Sequence, residues 1–168
     1  MSASDERSAE WRGGLNRPRA MSALRQGPRE AAAEILALTL WGEAADRPVR
    51  AIEALAALVM NRARQAAIPG GPAHWGRGVA GVCRAPFQFP CWNRNHPRHA
   101  ALREVPPGDG ALAICRRIAA RAIAGGMPDP TQGATHFHDA AALPGWAIGR
   151  PAMVEIGGLC FYRAEDLA

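Results

Sequence analysis

The fold class depends first on the segment PVRAIEALAALVMNRAR, residues 48–64. Its apolar residues recur at helical spacing, at Ile52, Leu55, Ala56, Val59 and Met60. Because proline suits the first turn of a helix, the pattern predicts an amphipathic helix that starts at Pro48. Arg62 and Arg64 follow near its end, where the helix dipole favours positive charge.

Two further helices are predicted, one on each side of this segment. Residues 30–44 are rich in alanine and leucine and follow Pro28, which predicts a mostly buried helix that ends near Ala45. Asp109 is a preferred N-cap residue for a third helix, which Gly125 and Gly126 end.

The remaining segments predict an α+β fold. Residues 66–108 are rich in glycine and proline and are expected to form one long functional loop. Segments 134–138 and 153–162 are predicted as strands of a small hairpin that forms a cleft wall beside the helices. Residues 1–27 show no apolar period and are predicted as a mobile tail, which leaves one domain at residues 28–168.

The sequence argues against a membrane-spanning chain and against a fold held by a disulfide framework. The chain has 168 residues, all 20 basic residues are arginine, and the net charge is +5, which suits an anionic partner or a solvated basic surface. No apolar run reaches the roughly 18–20 residues of a membrane span. Four cysteines are too few for a disulfide framework; Cys83 and Cys91 could close one loop in an oxidising compartment, but the pairing cannot be deduced.

Glu43 is the first candidate for chemistry. It lies at the C-terminal end of an apolar helix beside Leu40 and Trp41. Apolar neighbours and the negative end of the helix dipole both disfavour an ionised carboxylate, and a carboxylic acid that keeps its proton can protonate a glycosidic oxygen. The alternative is an exposed glutamate at a helix end.

The second candidate is the segment FQFPCWN, residues 87–93. Aromatic faces stack on sugar rings, and amide side chains bind hydroxyl and acetamido groups. Gln88, Phe89, Trp92 and Asn93 are therefore candidate sugar contacts, with stacked nucleobases or a loop anchored in the core as alternatives.

The third candidate is the pair His136 and His138, which would share one face of a strand. A metal would need a third ligand, and the other histidines show no recognisable ligand spacing. We therefore predict no metal and no other cofactor, and expect both histidines to line a cleft. Trp146 is a further aromatic candidate.

Read together, these motifs resemble the SleB/CwlJ-type cell wall hydrolase family. The similar segments occur in the same order, from Leu40–Ala44 and Ala57–Arg62, through Val82–Asn93 and Asp129–His138, to Ile156–Arg163. The resemblance implies a lysozyme-like fold and cleavage of peptidoglycan between N-acetylmuramic acid and N-acetylglucosamine. It also identifies Glu43 as the catalytic acid.

The resemblance implies a lytic transglycosylase, because no second carboxylate is placed by the motifs. Asp46 or Asp139 could supply one for true hydrolysis. We expect Gln88, Phe89, Trp92, Asn93, His136, His138 and Trp146 to bind the glycan strand. A wall-binding module without activity, a metal-dependent amidase and a nucleic-acid-binding protein are the alternatives; no nucleic acid partner is predicted.

Two features depart from the family pattern. Leu159 stands where a histidine is expected, and no apolar export signal precedes the domain. We expect the protein to be a monomer. We also expect it to act on the cell wall, in the periplasm or outside the cell. It would stay in the cytoplasm until lysis releases it or a phage-like particle carries it.

Overall fold

The computed structural model describes residues 27–168, and within them the chain forms five α-helices and one three-stranded sheet. The helices are α1 (Pro28–Ala44), α2 (Val49–Ala67), α3 (Gly78–Arg84), α4 (Pro97–Glu104) and α5 (Gly110–Ile123). The strands are β1 (His136–Asp139), β2 (Val154–Ile156) and β3 (Leu159–Tyr162). The predicted α+β class is confirmed. The predicted mobile tail lies outside the described residues except for Gly27.

Helix α1 is the centre of the core and contacts each of the other four helices. Its leucines are fully buried at Leu36 and Leu40, and they pack with Leu55 and Val59 of α2 and with Ile118 of α5. The helix starts with a proline, as predicted, and Asp109 caps α5 by accepting a hydrogen bond from the Leu112 N–H at 2.8 Å. Burial of one continuous apolar cluster holds the helices together.

The prediction of one long loop over residues 66–108 is wrong. This segment contains α3, α4 and two short 3-10 helices, Ala73–Trp75 and Pro90–Trp92. His96 caps α4, since its Nδ1 accepts a hydrogen bond from the Arg98 N–H at 3.2 Å, and Pro97 occupies the first turn. These helices are too short to show a clear apolar period, so tertiary packing stabilises them.

The predicted two-strand hairpin is also corrected. The sheet has the order β1-β3-β2, and β2 and β3 form their own antiparallel hairpin around Gly157 and Gly158. Both glycines have a positive φ, and a Cβ on Gly157 would lie 2.7 Å from Ala51 Cβ of α2. Glycine is therefore required where this turn touches the helix.

Candidate active site

A cavity of about 380 Å³ opens where the C-terminal end of α1 meets α4 and the sheet. Its wall carries two carboxylates and three guanidinium groups, from Glu43, Asp139, Arg47, Arg62 and Arg98. Charged groups at this density in one concave site are typical of a binding or catalytic site.

Glu43 is buried, with 6% of its surface exposed, as the sequence predicts. Its surroundings are more polar than predicted. The Cys91 N–H donates to Oε1 at 2.9 Å, and Arg98 Nη1 donates to Oε2 at 2.5 Å. Both carboxylate oxygens therefore have a polar partner, in addition to the apolar neighbours that the sequence predicts.

A close approach between α1 and the 3-10 helix Pro90–Trp92 places the Cys91 N–H on Glu43. A Cβ on Gly42 would lie 2.5 Å from Cys91 Cβ, so only glycine allows the two segments to meet. Trp92 Nε1 donates to Thr39 Oγ1 at 2.9 Å and fixes the same contact from the other side. The glycine before Glu43 therefore determines how the acid is held.

All four cysteines are free thiols, including Cys83 and Cys91, for which the sequence left a disulfide open. Burial, and then the nearby charge of Glu43, raises the pKa of the Cys91 thiol far above its usual range. This thiol is therefore protonated at neutral pH and packs beside the acid without adding charge.

Asp139, at the end of β1, is the second carboxylate of the cavity. The Ala141 N–H donates to its Oδ1 at 2.9 Å, and Arg47 Nη2 donates to its Oδ2 at 2.5 Å. The Ala141 N–H first, and then Arg47, lower the pKa of Asp139 below its ordinary value. Arg47 Nη1 also donates to the carbonyl oxygens of Gly157 and Gly158, at 3.2 and 3.1 Å, so the pair is tied to the β2–β3 turn.

Asn61 and Arg62 of α2 fasten the segment before β1. Asn61 Nδ2 donates to Asp129 Oδ2 and to the Ala134 carbonyl, each at 2.9 Å, and Arg62 Nε donates to the Thr135 carbonyl at 2.6 Å. Burial lowers the pKa of Arg62 to about 10, which still leaves it charged at neutral pH. The side chains of Asn61 and Arg62 therefore link the motif of α2 directly to the segment before β1.

Asp129 folds its own turn. Its Oδ1 accepts hydrogen bonds from the Thr131 N–H and hydroxyl at 2.8 and 2.6 Å, and its Oδ2 accepts one from the Gly133 N–H at 2.8 Å. Partial burial opposes its ionisation, but these donors and Asn61 outweigh it and lower the pKa of Asp129. The turn sets the start of β1 and so positions His136.

Three of the predicted contact residues line the Glu43 cavity: Gln88, His136 and Trp146. Gln88 Oε1 accepts a hydrogen bond from Arg62 Nη1 at 3.2 Å. The His136 ring meets Trp146 edge-on, with 5.9 Å between ring centroids. Burial, and then the positive charges of Arg62 and His74, lower the pKa of His136. A neutral imidazole beside an exposed indole can both hydrogen-bond and stack on a sugar.

His138 shares the face of His136 but lies behind Trp146. Its ring meets Trp146 edge-on with centroids 5.6 Å apart, and its Nε2 lies 2.9 Å from the Tyr162 hydroxyl. Its Nδ1 lies 2.7 Å from the Asp139 carbonyl oxygen. Both ring nitrogens therefore have partners within the sheet, and the His138 ring packs against the Trp146 indole.

Phe89, Trp92 and Asn93 are not among the residues that line the Glu43 cavity. All three line a neighbouring cavity of about 310 Å³, where the Arg84 guanidinium lies 5.0 Å from the Trp92 ring centroid. Phe89 is only 2% exposed and packs on Phe137, with 6.1 Å between ring centroids, so most of its ring lies in the core.

Sequence reasoning missed three residues of this site. Phe87 is 94% exposed, has a φ of 62°, and lines both cavities. A left-handed φ is uncommon for a bulky residue, and such residues cluster at active and binding sites. Arg98 and Arg47 were missed because each binds a carboxylate far away in sequence. Leu159 lines the cavity with its side chain buried, where the family pattern has a histidine.

Two negative observations apply to residues 27–168. No group of three or more His, Cys, Asp or Glu side chains in this range is arranged to hold a metal ion. No helix in the same range is long and apolar enough to span a membrane.

Comparisons with known proteins fit this geometry. The catalytic domain of SleB from Bacillus cereus has a similar fold, with a TM-score of 0.56 and 24% identity over 77% of this chain and 88% of that chain. The catalytic domain of the germination-specific lytic transglycosylase SleB from Bacillus anthracis also has a TM-score of 0.56, with 22% identity over 82% and 96% of the two chains. These neighbours confirm the predicted lysozyme-like fold.

Functionally curated proteins give no match. The cell wall hydrolase family model matches residues 46–162, more than half of the chain. Glu43 lies just before the matched range, so the match does not test its role. On the length of this match, the chain belongs to the cell wall hydrolase family.

Proposed function

We propose that this protein cleaves peptidoglycan glycan strands between N-acetylmuramic acid and N-acetylglucosamine, with Glu43 as the proton donor. Membership of the cell wall hydrolase family supports peptidoglycan-lytic activity. The observation that carries the finer proposal is the Glu43 carboxyl, which is buried yet lines a cavity of about 380 Å³.

In the proposed reaction, protonated Glu43 gives its proton to the bridging glycosidic oxygen, and the bond from that oxygen to C1 of muramic acid breaks. Positive charge develops at C1 and the ring oxygen. The 6-hydroxyl of the same sugar then bonds to C1 and gives its proton to the Glu43 carboxylate. The products are a 1,6-anhydromuramic end and a free 4-hydroxyl, and no water is consumed.

The intramolecular route is favoured because both oxygens of Asp139 already accept hydrogen bonds, from Ala141 and Arg47. A carboxylate engaged in this way is poorly placed to take a proton from water. The description of Bacillus anthracis SleB as a lytic transglycosylase supports the same type of reaction for this similar fold.

Hydrolysis is the second candidate, since Asp139 lines the same cavity as Glu43 and its pKa is lowered. An ionised carboxylate opposite the acid could activate water or stabilise the charge at C1. This route would leave a reducing end in place of the anhydro end.

We further propose that Gln88, His136 and Trp146 hold the sugar nearest Glu43. Trp92 and Asn93, in the neighbouring cavity, would contact a sugar or stem peptide further along the strand. The exposed Phe87 ring, which lines both cavities, would separate the two. We expect residues 28–168 to act as one catalytic domain, as a monomer, at the cell wall.

Digestion of purified sacculi tests this function. The wild-type protein should release soluble fragments, and mass spectrometry should find anhydro ends, which lack one water relative to reducing ends. Glu43→Gln should lower the release roughly 10²–10⁴-fold, because the general acid is lost. The matched control is Glu34→Gln, which removes an exposed carboxylate of the same helix that pairs with Arg116. No release by the wild-type protein would contradict the proposal.

A further inference from the structure

The Glu43–Arg98 ion pair separates two cavities. Glu43 and Arg98 line the cavity of about 380 Å³, and both also line a second one of about 240 Å³ on the other side of the pair. The second cavity is formed by Trp41, Gly42 and Ala101 together with these two residues and Asp46. A groove for a polymer must continue on both sides of the acid, and the Glu43–Arg98 pair belongs to the wall that the two cavities share.

The ion pair also conflicts with acid catalysis. Arg98 Nη1 lies 2.5 Å from Glu43 Oε2, so the guanidinium favours the carboxylate over the protonated acid. A proton donor in this site needs the guanidinium to move away or to acquire another negative partner. Within residues 27–168, the guanidinium of Arg98 makes its hydrogen bond to Glu43 alone.

Within the described residues, the Arg98 side chain has fewer contacts that hold it in place than the Arg47 side chain has. The side chain of Arg98 is 41% exposed and belongs to the short helix α4, whereas that of Arg47 is 17% exposed and is fixed by two backbone carbonyls. When Glu43 takes up a proton, the cavity wall keeps three arginines against the single carboxylate of Asp139. This excess of positive charge suits an anionic group on the ligand.

We infer that Arg98 is a positioning residue that exchanges the carboxylate of Glu43 for a carboxylate of the substrate. This inference rests on the proposed function. A carboxylate of the peptide stem attached to muramic acid draws the guanidinium away. The exchange joins the two cavities and leaves Glu43 free to hold a proton. No covalent bond changes in this step.

Other charged or titratable groups also lie around Glu43. The Cys91 thiol contacts it from the 3-10 helix and is neutral. The remaining charged or titratable groups that share a cavity with it are Arg47, Arg62, His136, Asp139 and Asp46. Arg98 differs from all of these because it makes direct contact with the Glu43 carboxylate and is charged.

The experiment compares kcat/KM of the full chain on native sacculi and on sacculi whose carboxylates are converted to methylamides. We expect amidation to lower kcat/KM of the wild type roughly tenfold, by loss of a charged hydrogen-bonding partner. Arg98→Gln should lose this preference, because a neutral amide cannot pair with a carboxylate as the charged guanidinium does. The matched control, Arg103→Gln on the same helix, should keep the wild-type preference.

Equal rates of the wild type on native and amidated sacculi would overturn the exchange, even if Arg98→Gln does not fold. So would a wild-type preference for native sacculi in Arg98→Gln. Failure of the proposed function differs, because then the wild type releases no fragments at all.

Discussion

Two arginine–carboxylate pairs line one cavity, and they differ in how firmly the arginine is held. Arg47 is mostly buried, donates to two carbonyl oxygens of the β2–β3 turn, and holds Asp139 at the end of β1. Arg98 is more exposed and holds Glu43 from a short helix. The same chemical pair therefore fastens the sheet to the helical core in one place and, in our proposal, holds the Glu43 carboxylate until substrate binds in the other.

Replacing each arginine in turn should distinguish the two pairs, with the largest difference in the free energy of unfolding. Arg47→Gln should lower the free energy of unfolding by about 2–3 kcal/mol, because the bonds to Asp139, Gly157 and Gly158 are lost together. Arg98→Gln should cost about 1 kcal/mol or less, since the Arg98 side chain is 41% exposed and makes a single hydrogen bond to the described part of the chain. Urea unfolding measures both, with the exposed Arg116→Gln as a reference. Equal losses for Arg47 and Arg98 would contradict the distinction.

The next largest effect on stability is expected from the close packing between Gly42 and Cys91. Gly42→Ala would place a Cβ 2.5 Å from Cys91 Cβ and push the 3-10 helix away from α1. We expect a loss of about 1–3 kcal/mol in unfolding free energy and a lower rate of sacculus digestion, because the Cys91 N–H moves off the acid. Gly110→Ala, where a Cβ meets open space at the start of α5, is the control and should leave both unchanged.

The pH dependence of stability should show the smallest effect. The folded protein holds the pKa of Asp139 below its ordinary value of 3.8, through the Ala141 N–H and then Arg47. A lowered pKa stabilises the fold at higher pH, and the contribution disappears as pH falls through the folded pKa. Unfolding midpoints measured near about pH 6 and about pH 3 should therefore differ less in Asp139→Asn than in the wild type. Asp46→Asn, an exposed carboxylate nearby, should behave like the wild type.

Local sequence patterns predicted the three longest helices of the fold. Helices α1, α2 and α5 follow from apolar spacing, proline at a first turn and the Asp109 cap, and they place Glu43 at a helix end. Helices α3 and α4 are too short for this signal. The glycine pair at 157 and 158 marks the extra hairpin and was overlooked, although two adjacent glycines between apolar segments are a turn signal.

The candidate site was less predictable because its contacts join distant segments. Arg98 lies 55 residues from Glu43, and Arg47 lies 92 residues from Asp139. No spacing rule connects such pairs. Phe87 and Phe89 belong to one motif, yet the left-handed φ at Phe87 sends one ring to solvent and leaves the other in the core. Composition alone could not tell them apart.

The most direct measurement is the rate of fragment release from one sacculus preparation by Glu43→Gln and by Asp139→Asn, each relative to the wild type. If Glu43 is the acid and Asp139 is structural, the first variant falls roughly 10²–10⁴-fold and the second by less than about tenfold. Thermal unfolding should confirm that both variants are folded at the assay temperature. A nearly intact rate in Glu43→Gln, or a loss in Asp139→Asn as large as the one expected for Glu43→Gln, would contradict this assignment.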